Sequence, residues 1–173
     1  MYSSLVTQYL NPDELKTFSH QTTGYTCYSS WHSRNDIANI ANITGPVELS
    51  PLFKIENIND GFFCVDAINL SYLSHSSKEG WVQADLIKQY KLKCVRLGVF
   101  QYFEEIEIRF GNYTRDQGLK LNSVVAYQET KIRKSIVEYC LDRPIVGKYL
   151  LIEKYRPIGF DMINIGALQI IVE

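Results

Sequence analysis

Gly80-Trp81-Val82-Gln83-Ala84-Asp85-Leu86, followed after three residues by Tyr90-Lys91-Leu92-Lys93-Cys94-Val95-Arg96-Leu97, decides the fold. Trp81 opens a strand that ends in Asp85-Leu86. A short polar turn follows, and the second segment alternates like a strand with one face buried. Trp81 is a large aromatic anchor at the start of this central β element.

Outward from this stretch the chain keeps the same character. Residues 104–111, Glu-Glu-Ile-Glu-Ile-Arg-Phe-Gly, alternate strictly and predict a half-buried strand. Further strands are expected at Ser123-Val124-Val125-Ala126-Tyr127 and at Ser135-Ile136-Val137-Glu138-Tyr139-Cys140. Pro144 should break the chain before a strand at Gly147-Lys148-Tyr149-Leu150-Leu151-Ile152-Glu153. Ile163-Asn164-Ile165 and 168–172 close the sequence as one bent strand or two short ones. Residues 112–122 read as a polar loop, and 62–79 as a long loop. Many short strands with turn punctuation and almost no helical periodicity predict an all-β sandwich. Residues 1–38 differ. Asn11-Pro12-Asp13-Glu14 reads as a capped first helical turn, and the segment is expected to form an N-terminal extension to a domain spanning 39–173.

Composition narrows the function. At 173 residues one domain is the default. A net charge of −1 lacks the basic field that phosphate backbones require, which excludes nucleic acid as a partner. It also argues against electrostatic attachment to anionic lipid. No apolar run reaches the length of a membrane span, and the first residues lack the pattern of a signal peptide. The four cysteines, Cys27, Cys64, Cys94 and Cys140, permit three disulfide pairings or a set of core thiols. Sequons at Asn42, Asn69 and Asn112 lean toward a secreted glycoprotein. Catalysis finds no support. His20, His32 and His75 lie in no metal-binding spacing, and there is no C-x-x-C pair, G-x-S-x-G elbow or phosphate loop. Glu104 and Glu105 fall on alternate faces of one strand and cannot flank one substrate.

Several segments resemble the discoidin family, also called coagulation factor 5/8 type C or galactose-binding-like domains, which includes the F-type lectins. The resemblance rests on Trp81-Val82-Gln83-Ala84-Asp85-Leu86, on Asn57-Ile58-Asn59-Asp60-Gly61, on Gly147-Lys148-Tyr149-Leu150 and on their order along 39–173. It implies a jelly-roll β-sandwich that binds its ligand through loops at one end. It further implies an extracellular, lectin-like module for cell adhesion, with a glycan or a cell-surface protein as partner. A cytoplasmic location is the alternative. Ser74-His75-Ser76 matches the sugar-gripping histidine of F-type lectins. Both arginines of their later loop are missing from 98–104. That loop carries Phe100, Tyr102 and Phe103 instead, and strand alternation predicts that some of these rings stay exposed. The expected ligand-binding residues are therefore His75, Lys78, Phe100, Tyr102 and Phe103.

The resemblance also implies a structural calcium site at Asn57, Asn59 and Asp60, although Ala167 stands where the family's lectins place a glutamate. Cys140 matches a cysteine of the family whose usual partner is missing from this sequence, and Cys94 or Cys64 could take that partner's place. The leading expectation is a non-catalytic carbohydrate-recognition module. A protein-interaction or assembly domain is the alternative, and a phosphatidylserine-binding domain with aromatic tips is the third reading.

Overall fold

The computed structural model describes residues 6–9, 17–20, 25–28, 35–60, 63–64, 71–74, 80–100, 103–132, 135–155 and 162–173. Eleven strands are present among them: β1 Val6–Tyr9, β2 Thr17–His20, β3 Tyr25–Tyr28, β4 Asn42–Thr44, β5 Phe63–Cys64, β6 Tyr72–Leu73, β7 Trp81–Val99, β8 Ile106–Gly111, β9 Ser123–Gln128, β10 Ser135–Lys154 and β11 Asn164–Val172. One short helix, α1, spans Arg115–Leu121, and 3-10 turns lie at Ala38–Ile40 and Ile55–Ile58. The helical turn expected near Asn11 lies outside the described residues.

The sandwich is built on two long strands. β7 and β10 pair antiparallel from Trp81↔Glu153 to Val99↔Ser135. The register slips twice on the way. Residues 86–89 of β7 stand opposite Lys148, and 141–144 of β10 stand opposite Lys93. These two bulges bend the ribbon and carry it from one sheet to the other. Beyond the bend on one side lie β4–β7–β10–β8–β9, and on the other β6–β11–β7–β10–β1. The inward faces of both halves fill one core. Val82, Ala84, Leu150 and Ile152 come from the first half, and Val95, Leu97, Val137 and Ile170 from the second. A small sheet, β2–β3–β5, lies against β11.

Four sequence expectations change here. The turn expected at 87–89 is a bulge within one continuous strand, with Ile87 at φ 70°. That backbone costs a β-branched residue free energy, and the bend demands it. Pro144 does not end a strand. It sits in the second bulge, where no ladder N–H is needed. The polar loop 112–122 contains α1, and the long loop 62–79 contributes β5 and β6. The Asp36 Oδ1 accepts from Ile170 N at 3.0 Å, and Ile37 N donates to Ile170 O.

Cys94 and Cys140 face each other in register and form a disulfide. Cys27 and Cys64 are register partners of β3 and β5. The Cys94–Cys140 bond closes a loop with a sequence separation of 46. Replacing both cysteines by alanine should lower the unfolding free energy by about 2–4 kcal/mol, through the regained freedom of the unfolded chain. Urea denaturation with far-UV circular dichroism measures this, and an unchanged midpoint would refute it.

Tyr72 on β6 is fully buried and donates its hydroxyl to the Pro46 carbonyl at 2.8 Å. Burial pushes this phenol far above the ordinary tyrosine range, and the nearby Glu48 charge adds to the shift. A proton held more tightly in the folded chain stabilises it fully below the unfolded value of about 10, and that contribution is lost as pH rises toward the folded value. Denaturation midpoints should hold from neutral pH to about pH 10 and decline above it. In Tyr72→Phe the neutral-pH stability should drop by about 1 kcal/mol and the alkaline decline should flatten. An equally steep decline in Tyr72→Phe would show that the alkaline loss comes from another group.

Candidate ligand-binding site

Because β7 runs out to the bend and back, its two ends return to the same edge of the sandwich. The start of β7, the end of β10, the loop after β4 and the segment after β6 meet there. Gly45 packs at this edge with no space for a side chain. A β-carbon would lie 2.8 Å from the Tyr72 hydroxyl, 2.9 Å from Ile55 Cδ1 and 3.2 Å from the Trp81 carbonyl. Glycine at 45 lets the loop 45–56 close against both β6 and β7. Glu48 then bridges in register to Ser74, and its Oε1 accepts from Ile55 N at 3.4 Å. Ser74 Oγ accepts from Ile163 N at 3.1 Å, which ties β6 to β11.

Along this loop runs an open pocket of about 650 Å³, lined between Val47 and Glu56. Val47, Leu49 and Pro51 give it apolar walls, and Glu48, Ser50, Lys54 and Glu56 bring acceptors and a cationic donor. Val47 is 76 % exposed and Leu52 65 %. A mouth that mixes apolar faces with converging polar groups suits a ligand with both kinds of surface. Sequence reasoning missed this pocket. Its signals were Gly45-Pro46 and Pro51, which mark irregular backbone between two ordered segments.

His75, Lys78 and Tyr102 lie outside the described residues. Ser74 precedes His75 and touches Glu48 and Ile163, while β6 and the end of β7 flank β11 through Tyr72↔Ile165 and Val99↔Ile165. Phe100 and Phe103 are a correction. They are 3 % and 0 % exposed, so neither presents a surface ring. β7 ends at Val99 and Phe103 bridges to Ile132, so strand alternation does not set the direction of these two buried rings.

The calcium expectation rests on Asp60 and the backbone carbonyls around Asn57 and Asn59, whose side-chain amides bond within the chain. Asn57 Nδ2 donates to the carbonyls of Leu52 and Ser71 at 3.4 and 3.3 Å, and Asn59 Nδ2 donates to those of Ala38 and Ala41 at 3.1 and 3.3 Å. Both amides turn N–H groups toward backbone oxygens of the kind a hard cation gathers. Asp60, an exposed carboxylate, is the one charged oxygen ligand of the three. Ala167 is buried at 2 % and adds none. Among the described residues, Cys94, Glu138 and Cys140 form a group with metal-ligand geometry. The two sulfurs are bonded to each other, and Glu138 is held by Arg96 at 2.6 Å.

One ordered row crosses the outer face of the first sheet near the same edge. Trp81, Glu153, Glu107 and Tyr127 are register neighbours on four adjacent strands. Arg115 from the start of α1 lies 4.8 Å from the Trp81 ring centre and pairs with both oxygens of Glu153 at 2.6 and 3.1 Å. This fork holds Trp81 and α1 in place beside the loop.

No protein-family model and no curated protein matches the sequence. Solved structures do match, at low identity. A fucolectin from the serum of striped bass, Morone saxatilis, superposes with a TM-score of 0.65 at 17% identity. The match covers 87% of this chain and 51% of that one, so this chain spans about half of that lectin. The family 32 carbohydrate-binding module of Clostridium perfringens NanJ, solved in complex with galactose, gives 0.61 at 15% identity over 79% of this chain and 97% of its own. The lectin domain of Lectinolysin, complexed with Lewis b antigen, gives 0.61 at 14% identity over 82% and 99%. The fold is therefore the galactose-binding-like, discoidin-type β-sandwich that carbohydrate-binding modules and F-type lectins share.

Proposed function

We propose that this chain is a non-catalytic carbohydrate-recognition module that takes a glycan at the loop edge of the sandwich. The observation that carries the reading is the pocket at 47–56, which opens on that edge beside the segment leading to His75. A sugar ring has apolar C–H faces and a rim of hydroxyls. Val47 and Leu49 suit the faces, while Lys54 and Glu56 suit the rim. His75 and Lys78 follow Ser74 in the sequence. The galactose and Lewis b complexes of the similar structures support a glycan as the ligand. The Cys94–Cys140 disulfide supports an oxidising, extracellular setting.

A protein partner is the second reading, favoured by the exposure of Val47 and Leu52. Phosphatidylserine binding through aromatic tips loses its support with the burial of Phe100 and Phe103.

A glycan array tests the proposal. Galactose- or fucose-containing glycans should bind. Lys54→Ala and His75→Ala should each weaken the best hit by about tenfold or more, the cost of a lost hydrogen bond to a charged or imidazole group, with thermal stability unchanged. A blank array would overturn the glycan reading and leave the protein partner. Binding unaffected by both substitutions would move the site away from this edge.

A further inference from the structure

Beside the residues that the family resemblance assigns to calcium lies a junction closed by the side chains of Asn57 and Asn59. We infer that the Asn59 carboxamide holds this junction in place of a cation, so that the fold and its loop edge are independent of calcium. The 3-10 turn Ala38–Ile40 is anchored on one side by Asp36, whose Oδ1 accepts from Ala38 N at 2.9 Å and from Ile170 N at 3.0 Å. Its other side carries the Ala38 and Ala41 carbonyls, on residues 2 % and 8 % exposed. Asn59, just past the 3-10 turn Ile55–Ile58, points its amide nitrogen between them at 3.1 and 3.3 Å. A primary amide has two N–H donors, one for each oxygen. Asn57 performs the same task on the other side of this turn, spanning Leu52 and Ser71. Four carbonyls from three segments of the chain are thus drawn together by two neutral amides.

The distinction is chemical. A cation gathers carbonyls by charge and asks for carboxylates to balance it. An amide gathers them by hydrogen bonds, needs no counter-charge and is insensitive to chelators. The absence of an acid at Ala167 fits this second arrangement. A carboxylate at position 59 would fail there, since it has no N–H to donate and would face two carbonyl oxygens.

Thermal unfolding of the full chain, in millimolar calcium and in excess chelator, tests the inference without any glycan, so a blank glycan array leaves it standing. The wild-type melting temperature should be the same in both buffers. Asn59→Ala should lower it by about 3–10 °C in both, because the Ala38 and Ala41 carbonyls each lose an N–H donor. Asn59→Asp should lower it at least as far in chelator. Calorimetric titration of the wild type with calcium should show no saturable binding. A wild type stabilised by calcium, or a saturable calorimetric signal, would overturn the inference, and this measurement decides even where Asn59→Ala fails to fold. An Asn59→Asp chain that melts like the wild type in chelator would overturn it as well.

Discussion

The pairing of β7 with β10 is the constraint on which everything else depends. Two strands of 19 and 20 residues stay hydrogen-bonded from one edge of the molecule, through a bend, and back to the same edge. A flat ribbon of that length would leave one apolar face in water. The opposed bulges at 86–89 and 141–144 let it fold over, so that Val82 and Leu150 on one arm meet Leu97 and Val137 on the other. The backbone strain at Ile87 and the exposure of Ile87 and Val146 are local costs of that bend. The Cys94–Cys140 disulfide fixes the register on the far side of it.

The same fold-over sets the site. Because both arms begin and end at one edge, the loops that join the strands to their neighbours collect there. Gly45 and Tyr72 clamp the loop 45–56 onto β6 and β7, Glu48 reaches Ser74, and an open pocket remains between apolar walls and charged groups. The Arg115–Glu153 fork against Trp81 holds the adjoining face. Partly buried and bidentate, it resists the screening that weakens exposed pairs. Amide clamps at Asn57 and Asn59 anchor the back of the loop with neutral groups.

Legibility in the sequence followed a physical divide. Strands whose character lies in alternation were plain: 106–111 and 123–128 fall within a residue or two of their expected positions. Continuity was hidden. Pro144 and the polar run 87–89 both look like chain breaks, because a bulge uses the same residues as a turn. The helix α1 was hidden too, being seven residues long with Gly118 in its middle and no apolar stripe. Phe100 and Phe103 misled because alternation governs a residue only while it stays in a strand.

By itself the sequence determined the β class, the sandwich and the order of its main strands. These follow from local periodicity, which needs no partner across space. The tertiary structure alone decided which cysteine meets Cys140, which aromatic rings are buried, what the Asn57 and Asn59 amides bond to and where a pocket opens. Each of these depends on two segments far apart in the chain arriving at one place. That encounter is set by the bend of the β7–β10 ribbon, which no local pattern encodes.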